Sequence, residues 1–141
     1  MATVIYNSFK QKIMNGSIDL DTDTIKVALV SSSYTPDQDT HIFFDDVTNE
    51  VGDSGTYSAG GAELANKSVT QDDTDNEGVF DADNVSWTTA TITARGAVLY
   101  KSTGTASTSP LIAYIDFGSN QTSTAGTFTI TWNSEGILNL G

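Results

Sequence analysis

The chain has 141 residues, two prolines, twelve glycines, no cysteine and a formal charge of −12. That length holds one compact domain, and the missing cysteine removes disulfides and thiolate metal sites. Six basic residues against eighteen acidic ones disfavour phosphate backbones and anionic lipid headgroups, so no nucleic-acid and no membrane partner is expected. Aromatic residues are spread along the whole chain and only 17% of residues are charged, which points to a folded domain and not to a disordered one. Residues 1–17 lack the basic start and continuous apolar stretch of a signal peptide, and no apolar run approaches the length of a membrane span.

Residues 3–15 predict an amphipathic helix, because Ile5, Phe9 and Ile13 recur at i, i+4 and i+8 with Val4 and Met14 widening the apolar stripe. Asn15-Gly16 supplies the stop, glycine taking the left-handed backbone at no steric cost. From residue 24 the pattern changes to β. Ile25, Val27 and Leu29 alternate on one face of a strand over 24–30, which Pro36 and a polar cluster end. Residues 41–50 predict a short helix or irregular segment, residues 52–61 a glycine-rich loop around Tyr57, and residues 63–70 a strand. Further strands are predicted over 85–94 and 97–101, with Gly96 as a bulge or bend between them, then over 111–117, 127–132 and 137–140. The polar stretches 102–109 and 119–126 read as exposed hairpin loops. These elements make one mainly β domain spanning residues 1–141: an antiparallel β-sandwich or partly open barrel with one N-terminal amphipathic helix.

Residue chemistry gives little support for catalysis. The single histidine, His41, has Asp39 and Asp45 near it in sequence but no nucleophile elbow, so a surface or partly packed role is expected and the chain is read as a non-enzyme. Asp116, between Ile115 and Phe117, is expected to hydrogen-bond a loop at the strand end. No glycine-rich phosphate cradle is present among Gly52, Gly55, Gly60 and Gly61, and no cofactor is expected. The best metal candidate is residues 73–81, where Asp73, Asp75, Glu77 and Asp81 offer hard oxygen ligands for calcium before and after a Gly turn. The match to a calcium loop is partial, since its twelfth position is Asn84 and not a bidentate Glu. Asp19, Asp21 and Asp23 form a second acidic ladder that also suits a solvated edge, and Tyr34, Tyr57 and Tyr100 are candidates to stack on sugars or to form an interface.

Several segments resemble a group of small proteins encoded in the structural gene clusters of tailed bacteriophages: Tyr6-Asn7-Ser8-Phe9-Lys10, Asp21-Thr22-Asp23-Thr24-Ile25-Lys26-Val27-Ala28-Leu29, Tyr34-Thr35-Pro36-Asp37, residues 41–50, Gly55-Thr56-Tyr57-Ser58-Ala59-Gly60-Gly61 and Phe128-Thr129-Ile130-Thr131-Trp132. The resemblance runs nearly end to end, and its motifs are structural. It implies a virion structural protein, by preference a capsid decoration (cement) protein, commonly trimeric, that binds the outer head surface and stabilises contacts between major capsid subunits. A tail or baseplate component, a carbohydrate- or receptor-binding module and a glycan-degrading enzyme are the alternatives. On the decoration reading, the helix face (Ile5, Phe9, Ile13) and the Tyr57 loop are the expected interface.

Overall fold

Alternating burial along residues 85–101 and the buried run 111–115 draw two long segments into one antiparallel ribbon, and the rest of the chain is arranged around it. The computed structural model describes residues 2–141. In chain order the elements are β1 (Ala2–Ile5), α1 (Asn7–Met14), β2 (Ile25–Val30), β3 (Ala62–Glu63), β4 (Ser68–Asp72), β5 (Glu77–Asp81), β6 (Val85–Lys101), β7 (Leu111–Ile130) and β8 (Leu138–Leu140). They form two antiparallel sheets, one of five strands in the order β1-β7-β6-β2-β3 and one of three in the order β4-β5-β8. The protein is thus mainly β with one helix near its N-terminus, in the manner of a β-sandwich.

The centre of the five-stranded sheet is apolar on both faces. Ile25, Val27, Leu29, Ala97, Leu99 and Ile115 join the main core with Phe80, Trp87, Phe128 and Trp132. The opposite face of the same strands presents Ala28, Val30, Val98, Tyr100 and Tyr114 to a second cluster with Tyr6 and Tyr34. The main core continues under the outer half of the ribbon, where Val85, Trp87, Ala90, Ile92 and Ala94 point inward and threonines alternate outward. Gly96 marks a register shift, as its position in the sequence predicts. Its φ is ordinary, and its small size is what matters, because a Cβ there would lie 2.6 Å from the Tyr114 ring and 2.7 Å from the Ile115 carbonyl.

The structure corrects several expectations. The helix begins at Asn7, not residue 3: Thr3, Val4 and Ile5 are β-branched and pair with Ile115, Tyr114 and Ala113 on the edge of β7. Of the two alternatives for residues 41–50 the irregular segment is found, with a single 3-10 turn at Phe44–Asp46, and its backbone bonds to the end of the β6–β7 connection and the start of β7 (Phe44 N–H to Ser109 O, 2.8 Å; Leu111 N–H to Ile42 O, 2.9 Å). The strand expected over 63–70 is two strands in different sheets, divided where Asn66 takes φ +52°. Residues 119–126 are not a loop but part of β7, while 102–108 is the largely exposed connection and Ser109 at its end is buried. Residues 77–81, expected to contribute to an acidic loop, form β5.

Replacing Gly96 by alanine is expected to cost about 1–3 kcal/mol by overpacking against backbone, a fall in Tm of roughly 3–10 °C. Gly52→Ala, with open space around the new Cβ, is expected to leave Tm within about 1–2 °C. Thermal denaturation of both variants checks the contrast.

Candidate functional site

The eight-residue helix α1 lies beside the three-stranded sheet without covering it. Between them runs an apolar trough of about 540 Å³, floored by Phe9, Leu20, Phe80 and Leu138. Ile5 and Ile13 line one side, Val69 and Leu140 the other, and the polar lining residues are Lys10 and Asn139. Three side chains on the rim stand in solvent: Met14 is 87% exposed, Leu140 72% and Val69 51%. These exposed apolar residues form one continuous patch with the trough. Three of the residues expected at an interface, Ile5, Phe9 and Ile13, are thus brought together. Val69, Leu138 and Leu140 escape a reading of sequence, because they lie on short strands whose pairing no local pattern reveals.

Tyr57 is not part of this surface. It is buried, its hydroxyl donating to Glu50 Oε2 (2.7 Å) and accepting from the Leu29 N–H (2.9 Å), with its ring against Trp87. The loop around it clasps the ribbon: Thr56 N–H donates to Thr88 O (3.1 Å), and Ser54 Oγ accepts from the Thr91 N–H (2.8 Å). All five tyrosines of the chain, Tyr34 and Tyr100 included, are buried, so none offers the open ring face expected of a sugar platform.

The calcium candidates are divided. Asp75 and Glu77 meet Asp72, with one carboxylate oxygen of each within 4.8 Å of the others. Asp73 instead accepts from the Gln71 side-chain amide, and Asp81 accepts from the Ala82 N–H (2.9 Å). The cluster forms the tip of the β4–β5 hairpin. Asp72 Oδ1 there accepts the N–H groups of Thr74 (2.9 Å) and Asp75 (3.2 Å), and Glu77 accepts from the Asn139 amide. The second ladder closes a turn: Asp23 Oδ2 accepts from the Asp19 N–H (2.8 Å) and pairs with Lys101 (3.0 Å).

His41 Nδ1 lies 3.0 Å from the Tyr34 hydroxyl and accepts from the Asp37 N–H (3.2 Å), an arrangement that orders a loop. Asp116 accepts from Arg95 Nε (2.8 Å) and from the Gly118 N–H (2.7 Å), and both contacts hold its carboxyl below the usual range. It braces the point where β7 leaves β1, within the ribbon and not, as expected, against a loop at a strand end. Among the described residues no helix is long and apolar enough to cross a membrane. Comparison of the chain with protein families, curated proteins and solved structures finds no match in any of the three.

Burial raises the pKa of every tyrosine: strongly for Tyr6 and Tyr57, to about 12 for Tyr100, and upward for Tyr34 and Tyr114. A group whose folded pKa lies above its unfolded value of about 10 contributes its full stability below that pH. The contribution is lost as pH rises through the folded value, because the unfolded chain ionises first. Stability is therefore expected to fall steeply above about pH 10. Absorbance of tyrosinate should appear only together with loss of the β circular-dichroism signal. A tyrosine titrating near pH 10 in the intact fold would contradict the buried network.

Proposed function

We propose that the chain is a virion structural protein of a tailed bacteriophage, acting as a decoration protein that docks on the assembled head and stabilises contacts between major capsid subunits. The observation that carries the docking element is the trough: a folded chain that leaves Met14, Val69 and Leu140 in water beside an apolar floor has a surface suited to a protein partner. The resemblance of its structural segments supplies the phage context. The charge of −12 also suits a protein on the outside of a DNA-filled shell.

Covering a fully exposed Val, Leu or Met is worth up to about 1.5–3 kcal/mol each, against an association cost of about 4–15 kcal/mol. One trough alone therefore binds modestly. Many copies that recognise only the assembled lattice still stabilise it by mass action, and a trimer would multiply the contacts through avidity.

Quantitative mass spectrometry of purified particles is the direct test, with the major capsid protein as reference. Copies in fixed ratio to that subunit are expected. A few copies per particle would move the protein to the tail, and absence would remove the virion reading. Met14→Glu alters an exposed side chain and is expected to keep the fold while lowering incorporation. Ile5→Asp, half-buried at the trough wall, is expected to abolish it.

A further inference from the structure

We infer that Asn15-Gly16, the pair that ends α1, is a site of spontaneous backbone modification, where the folded chain turns asparagine into isoaspartate and aspartate and so uncaps the helix. Of the nine asparagines in the chain it is the one followed by glycine. The reaction needs a free peptide N–H, a side-chain amide carbon within its reach, and water. Both residues are exposed. Gly16 takes φ +78°, with no atom within 4 Å of the place a Cβ would occupy, so nothing crowds its nitrogen. The Ser17 N–H donates to the Lys12 carbonyl (2.9 Å), as a glycine-ended helix requires, but the companion bond from the Gly16 N–H to the Ile13 carbonyl is not formed. Among the described residues the Gly16 N–H finds no acceptor at all. Asn15 Oδ1 accepts from the Ser17 N–H (2.9 Å), which folds the side chain over the Gly16 peptide and polarises its carbonyl.

The Gly16 nitrogen gives its proton to solvent base and bonds to Asn15 Cγ. The Cγ–Nδ2 bond breaks, and the amide nitrogen takes a proton from solvent and leaves as ammonia. Water then opens the cyclic imide. Cleavage of the bond from the Gly16 nitrogen to Cγ gives aspartate. Cleavage of its bond to the Asn15 main-chain carbonyl gives isoaspartate, whose backbone runs through Cβ and is longer by one methylene. No oxidant or cofactor enters. Either product puts a carboxylate at the negative end of the α1 dipole. The longer backbone of isoaspartate also displaces the cap, because the Ser17 and Ile18 N–H groups bond to the Lys12 carbonyl (2.9 and 3.3 Å) across this link. Asn133 is an internal comparison: its Oδ1 accepts from the Glu135 N–H at the same 2.9 Å, but the residue that follows it is Ser134, which carries a Cβ.

The test incubates the full chain in mildly alkaline and in mildly acidic buffer and follows its tryptic fragments by mass spectrometry. Cleavage after Lys12 and Lys26 releases residues 13–26, in which Asn15 is the sole asparagine. That fragment is expected to show the mass change from amide to acid, faster in alkali because the attacking nitrogen must lose its proton. Asn133 should convert at least about tenfold more slowly. The folded chain should convert Asn15 within about tenfold of the rate of the urea-unfolded chain. Isoaspartyl methyltransferase should label the product, and hydroxylamine should cut the chain after Asn15 by trapping the imide. Gly16→Ala is expected to slow conversion about tenfold, with circular dichroism establishing that it folds; the comparison of Asn15 with Asn133 needs no variant. Hydrogen exchange at the Ser17 and Ile18 amides should quicken in the isoaspartate fraction. Conversion confined to the unfolded chain, equal rates at Asn15 and Asn133, or a product free of isoaspartate would each overturn the inference. So would unchanged exchange at Ser17 and Ile18 once Asn15 has converted.

Discussion

The pairing of β6 with β7 is the constraint on which the rest of the molecule depends. Their register runs from Val85 opposite Ile130 to Tyr100 opposite Leu111, and every other strand of the five-stranded sheet attaches to one of the two directly or through β2. β1 pairs with β7 only as far as Asp116, and β2 with β6 only from Gly96 onward. The ribbon is thus a sheet centre over half its length and a free two-stranded arm over the other half. Its bulges bend that arm over the core. Thr89 and Ala125 take positive φ at these irregularities, a conformation unusual for residues with a Cβ. Hydrogen bonds from the Tyr57 loop to Thr88 and Thr91 hold the strained edge in place.

The trough is a geometric consequence of this plan. With the arm and five-stranded sheet enclosing the main core from one side, the three-stranded sheet closes it from the other, through Phe80 and Leu138. The same face of that sheet runs on past the core and is met there by α1, whose eight residues span about 12 Å. That length reaches Phe80 and Leu138 but not Val69 or Leu140 at the margins. Asn15-Gly16, with Gly16 at φ +78°, ends the helix there.

How much of this was legible in the sequence depends on whether a segment's partner is local. β2 and the start of β7 declare themselves, because strands buried on both faces are apolar at almost every position. Residues 119–126 contain only Ser, Thr, Asn, Gln, Ala and Gly, a loop composition, and become strand because β6 is already there to pair with them. The helical spacing of Ile5, Phe9 and Ile13 places one face correctly and the element boundary wrongly, since Ile5 reaches the trough from the end of a strand. In the acidic segment, alternation suggested Asp73, Asp75, Glu77 and Asp81. Hairpin register brings Asp72 opposite Glu77 instead, and a turn's position cannot be counted from its acids alone. Tyr57 stood among glycines, which in sequence marks a loop but does not say whether the loop faces water.

Charge is distributed as unevenly as the apolar surface. Residues 84–94 and 117–134 contain no ionisable side chain, so the outer half of the ribbon is neutral while the net −12 lies elsewhere. Beyond Asp116, β7 has an outer edge to which no strand of the described residues pairs, and that edge carries neither lysine nor proline. Such an edge invites pairing with another chain. Two features oppose it here. The bulge at residues 124–125 breaks the regular spacing of backbone groups that a second strand would need. The large negative charge on the rest of the surface repels a second copy before the neutral edges meet. Net charge therefore does for the whole molecule what gatekeeper residues do for a single strand. That repulsion falls as ionic strength rises, whereas the apolar attraction of the trough does not weaken with it. The proposed docking contact, being mainly apolar, is therefore expected to outlast the repulsion between acidic surfaces as salt rises.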